Sequence, residues 1–107
     1  MAPEKWQKLS LAEQMGNIGS EVNRVIYLEK ADEKNNKEKA LGRVLELIDL
    51  TISDKRWKGR LLEICRLREV ICDLFFGNNT YRVSTKFLKN YFLFFALFIS
   101  ARQNFRS

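Results

Sequence analysis

A single proline, Pro3, leaves residues 4–107 free of the residue that most strongly breaks helices. Apolar residues at helical spacing fill that stretch. Leu11, Met15, Ile18, Val22 and Val25 recur at steps of 4, 3, 4 and 3, the period of one face of a helix. Ser10 and Glu13 precede the seam as a capping-box pair, in which each side chain satisfies the other residue's backbone N–H. No run is bounded and enriched as a strand requires, and the β-branched residues are too scattered to suggest one. The chain reads as all-α.

Four helical segments are expected, at about 10–31, 37–53, 55–76 and 85–103. In the first, Gly16 and Gly19 each cost about 1 kcal/mol relative to alanine, which points to close helix contact or a bend. The second carries Leu41, Val44, Leu45, Ile48 and Ile52 on one face, with Leu47 and Leu50 widening it. Ser53 and Asp54 are caps for the third, where Trp57, Leu61, Ile64, Cys65, Ile71, Cys72 and Phe75 share a face. Gly77 is expected as a left-handed C-cap, with Asn78 and Asn79 completing the turn. Ser84 or Thr85 opens the fourth. A chain of 107 residues supports one domain, so the expected architecture is a single antiparallel four-helix bundle.

The fourth segment does not fit a monomer. Tyr91 to Ile99 is an unbroken apolar run of nine residues, too short for the roughly 20 that cross a bilayer. Leu88, Phe92, Phe95 and Ile99 can face the bundle, which leaves Phe87, Tyr91, Phe94 and Phe98 pointing elsewhere. These four are the expected contacts of a homo-oligomer.

Charge is placed unevenly. Residues 1–73 hold fourteen bases and thirteen acids, whereas 74–107 hold five bases and no acid, within a net charge of +6. Such asymmetry favours an anionic partner. The candidate nucleic-acid contacts are Lys55, Arg56, Lys58 and Arg60 around Trp57, then Arg82, Lys86 and Lys89, and finally Arg102 and Arg106. Trp57 itself reads as part of the apolar face. Arg68 falls within the apolar face of the third helix and is expected to form a buried ion pair with Glu21, Glu46 or Asp49.

Histidine is absent, which removes Ser-His-Asp and Cys-His nucleophile pairs and His-ligated zinc. Phosphate loops, Cys-x-x-Cys and EF-hand spacings are missing as well. The expectation is a protein that is not an enzyme, with no cofactor and no small-molecule substrate. Cys65 and Cys72 lie two helical turns apart, roughly 10 Å along the axis and too far for a disulfide. With a polar start and no leader-like stretch, this points to the reducing cytoplasm.

Three strings carry a resemblance: Met15-Gly16-Asn17-Ile18-Gly19-Ser20-Glu21-Val22, Leu45 to Thr51, and Arg66-Leu67-Arg68-Glu69-Val70 leading to Phe75-Phe76-Gly77-Asn78-Asn79. With the helix count and basicity over residues 9–103, they resemble the accessory variability determinant proteins of bacterial diversity-generating retroelements. That resemblance implies a basic four-helix bundle in a homopentameric ring that binds RNA or DNA and the element's reverse transcriptase. It rests on architecture and charge and transfers no functional residue. The alternative is a protein-interaction module, of toxin–antitoxin or phage-adaptor type, working through the aromatic fourth helix.

Overall fold

A computed structural model describes residues 2–77, 79 and 82–93 of the chain. Among the described residues it is all-helical, in the order α1 (Pro3–Trp6), α2 (Leu11–Lys30), α3 (Lys34–Ile52), a 3-10 segment (Lys55–Arg60), α4 (Leu61–Phe76) and α5 (85–93). The continuation expected to residue 103, with Phe94, Phe98, Arg102 and Arg106, lies outside the described residues. None of the described helices is long and apolar enough to cross a membrane.

Local signals act where the spacing places them. Ser10 Oγ accepts from the Glu13 N–H at 3.1 Å, and Glu13 Oε1 accepts from the Ser10 N–H at 3.0 Å. Leu11, Met15, Ile18, Val22 and Val25 are all buried. Helix α2 ends in a Schellman motif, with the Glu33 N–H on Leu28 O and the Asp32 N–H on Glu29 O. Asp32 supplies the left-handed residue (φ 57°) that the motif usually takes from glycine. Helices α2 and α3 form the principal packed pair, joined by that tight turn. Asp54 caps the 3-10 segment by accepting from the Arg56 N–H at 3.1 Å, and Ser84 accepts from the Phe87 N–H at 3.0 Å to open α5.

Elsewhere the structure departs from expectation. The third predicted helix is not continuous from 55. Trp57 has φ −103° and ψ 22°, and α-helix begins only at Leu61. The break shifts the phase of everything after it, so Leu61 is 38 % exposed while Leu67 joins Ile64 and Ile71 in the core. Cys65, Cys72 and Phe75 are half-buried. On α3 the buried stripe is Ala40, Leu41, Val44, Leu47, Ile48 and Thr51, with Leu45 and Ile52 at its edge. Gly77 is extended (φ −100°, ψ −158°), not left-handed. Glycine is needed there for closeness, because a Cβ would lie 3.1 Å from Asp73 O. Among the described residues of that connection, Asn79 and Arg82 are left-handed.

Two glycines that share one helix have different surroundings. A Cβ on Gly19 would meet Phe92 Cβ and Cγ at 3.0 Å, so α5 packs against α2 at this point. Gly16 faces solvent with nothing within 4 Å. Helix α1 lies outside the predicted segments, yet its Trp6 is completely buried.

Candidate interaction surface

Trp6 enters the core because its one polar atom finds a partner there. The indole N–H donates to Thr51 Oγ1 at 3.0 Å, and the Thr51 hydroxyl donates to Leu47 O, also at 3.0 Å. Gln14 Nε2 donates to Trp6 O (2.9 Å) and to Asp54 Oδ2 (3.2 Å), while its Oε1 accepts from Trp57 Nε1 at 2.8 Å. Gln14 and Thr51 are fully buried and Asp54 is nearly so. Among the described residues, no buried side-chain nitrogen or oxygen lacks a partner. This network ties the N-terminal segment, α2, the end of α3 and the 3-10 segment together.

The network consumes part of the predicted phosphate-binding cluster. Arg56 Nη2 donates to Asp54 Oδ2 at 2.7 Å and to Leu9 O at 2.7 Å, and Nε donates to Asp54 Oδ1 at 3.1 Å. Its guanidinium also sits 4.5 Å from the Trp57 ring centroid. The Arg56 side chain holds the Asp54 carboxyl at about 2, against the opposing effect of burial, and Asp54 in turn raises the Arg56 pKa. Arg60 donates to Glu63 Oε2 at 2.9 Å. Lys55 and Lys58 are exposed, Arg56 is held by Asp54 and Leu9 O, and Arg60 pairs with Glu63 at the surface, where both side chains are more than 40 % exposed. Trp57 is half-buried, with its N–H and one ring face engaged, and is no open stacking platform.

Arg68 pairs with Asp49, its Nε 2.8 Å from Oδ1. The expectation of a buried pair is corrected: the two side chains are 38 % and 56 % exposed. The 3-10 break turns Arg68 from the centre of the apolar face to its edge, where the guanidinium can snorkel outward. Asp49 is thereby engaged, and among the described residues no group of three potential metal-ligating side chains forms.

On the opposite side of α4, Leu62, Arg66 and Val70 face Phe87, Leu88 and Tyr91 of α5 across an apolar groove of about 470 Å³. Buried Leu67 and Leu88 form its floor, and Leu62 (72 % exposed) and Phe87 (58 % exposed) stand at its margins. The Tyr91 hydroxyl closes one end by donating to Glu63 Oε1 at 3.0 Å. Burial, reinforced by the Glu63 carboxylate, raises the Tyr91 pKa and keeps the phenol a donor. Of the predicted aromatic contacts, Phe87 is exposed and Tyr91 packs partly on the core; Leu88 and Phe92 are buried against the body. Arg82, Lys86 and Lys89 are exposed beside them.

Sequence reasoning missed Trp6, Gln14, Thr51 and Leu62. Gln14 carried a usable signal, being a polar residue three after Leu11 and four before Ile18 on the buried seam. Leu62 became legible only with the phase of α4 known. Comparison with protein-family models, with curated proteins and with solved structures found no match. Function must therefore be read from the surface itself.

Proposed function

We propose that this chain is a non-catalytic interaction module, an antiparallel arrangement of α2 to α5 whose α4–α5 face receives a helix from another polypeptide. The groove between Leu62 and Phe87 carries this reading. Large apolar side chains exposed on two facing helices, above a floor already packed, make the concave apolar surface into which an amphipathic helix lays its own stripe. Photocrosslinking tests it. A benzophenone amino acid in place of Leu62 should yield a covalent polypeptide adduct in cells. The same probe in place of Tyr27, an aromatic that is 68 % exposed and does not line the groove, should yield far less. Equal yields at the two positions would overturn the reading.

Binding of RNA or DNA, the role that the retroelement resemblance implies, is a second reading. It is supported by the exposure of Lys55, Lys58, Arg82, Lys86 and Lys89. Affinity carried by about five phosphate contacts should fall steeply with salt, with a log–log slope of about −4.5 on duplex DNA. Changing Lys86 and Lys89 to alanine should reduce that slope by about 2, and an unaltered slope removes them from the interface.

A further inference from the structure

Arg66 stands in the middle of an apolar wall, and we infer that the helix received by the groove is an acidic amphipathic one, with a carboxylate set against this guanidinium. The inference rests on the reading of this face as a helix-docking surface and specifies the chemistry of what docks there. Leu62, Arg66 and Val70 line the α4 side of the groove at successive steps of four, so they follow one another along a single helical stripe. Glu63, the other charged side chain of the lining, is already engaged, accepting from the Tyr91 hydroxyl and from Arg60. Arg66 is exposed, and among the described residues none forms an ion pair with it.

A helix laid between Leu62 and Phe87 covers Arg66 and takes water from its guanidinium. A covered cation without a counter-charge is strongly unfavourable. A carboxylate, by contrast, accepts two parallel N–H bonds from the guanidinium fork and is held in register by them. Helix α5 contributes no acid over 85–93, and its exposed Lys86 and Lys89 add positive potential to the same face. From Leu62 to Val70 the wall is roughly 12 Å long. That length takes apolar anchors at i, i+4 and i+7 of the incoming helix, which span roughly 10 Å. The acid belongs beside the middle anchor, level with Arg66. A nucleic acid lacks the apolar stripe, and a bilayer is too flat to enter the groove.

The Leu62 photoprobe supplies the test once the captured segment is sequenced by mass spectrometry. That segment should be amphipathic, with Asp or Glu beside its apolar stripe. Made as a fluorescein-labelled peptide, it should bind the full chain in an anisotropy titration. Arg66→Glu should weaken that binding about tenfold, and Arg66→Gln by a smaller factor. Changing the peptide's acid to lysine should restore affinity for the Arg66→Glu chain, because the reversed charges meet again. Circular dichroism of both variants should show unchanged helix content. An affinity indifferent to both Arg66 substitutions, or a captured segment with no acid beside its stripe, overturns the inference and leaves the docking face intact. Equal yields at Leu62 and Tyr27, or a lipid adduct at Leu62, would instead remove the docking face itself.

Discussion

Gly16 and Gly19 lie one turn apart on α2 and have opposite surroundings, so the same substitution should act with opposite sign. At Gly16 an added methyl meets nothing within 4 Å, and alanine gains helix propensity of about 0.5–1 kcal/mol. At Gly19 the same gain opposes a Cβ placed 3.0 Å from Phe92 Cβ and Cγ. These atoms sit next to the α5 backbone and cannot swing aside as a side-chain tip would, so overpacking of about 1–3 kcal/mol should dominate. Urea midpoints should rise for Gly16→Ala and fall for Gly19→Ala. A rise in both would show that α5 does not seat against α2 at Phe92. The buried amide of Gln14 offers a harsher test. Gln14→Leu removes hydrogen bonds to Trp6 O, Asp54 and Trp57 Nε1, and several buried polar groups lose a partner at about 1–3 kcal/mol each. It should cost at least about 3 kcal/mol by urea titration, whereas Trp6→Phe, which leaves Thr51 bonded to Leu47 O, should cost about 1 kcal/mol for the bond itself.

At the scale of elements, the 3-10 segment governs the phase of α4. A helix continuous from residue 55 puts Trp57, Leu61 and Ile64 on one face; the break at Trp57 puts Leu61 outside and Leu67 inside. Leu61→Ala should therefore change stability by less than about 1 kcal/mol, and Leu67→Ala should cost about 2–4 kcal/mol. Similar losses at both positions would restore the continuous helix. The reach of each interaction along the chain decided whether it was legible in the sequence. The Ser10–Glu13 box and the α2 seam depend on residues within one or two turns, and the spacing displayed them. The Trp6–Thr51, Gln14–Asp54 and Trp57–Gln14 bonds join residues 40 to 45 positions apart, and no local period encodes such a meeting. The basic cluster was legible as composition but not as chemistry, because Asp54, which engages Arg56, reads in the sequence only as a cap.

For the whole molecule, the absence of histidine and the engagement of Asp54 combine into one expected pH profile. With no imidazole in the chain, nothing with an ordinary side-chain pKa near 6.5 titrates, and stability should be nearly flat between pH 5 and 8. Below that range, Asp54 sets the direction. Its folded pKa of about 2 lies beneath the ordinary 3.8, so the unfolded chain binds the proton more tightly than the folded one. The stabilisation is complete above roughly pH 5 and is lost as pH falls through 4 towards 2, amounting to at most about 2 kcal/mol. Over the same interval thirteen acids are neutralised while nineteen bases keep their charge, and the growing repulsion adds to the loss. Asp54→Asn separates the two contributions. The variant should be less stable at pH 7 by about 2 kcal/mol, because Arg56 and the 3-10 segment lose a charged acceptor. Its stability should then decline less between pH 5 and 2, leaving only the part due to net charge. Thermal unfolding of both proteins across that range measures the difference, and parallel declines would show that the Asp54–Arg56 contact is not what acid breaks.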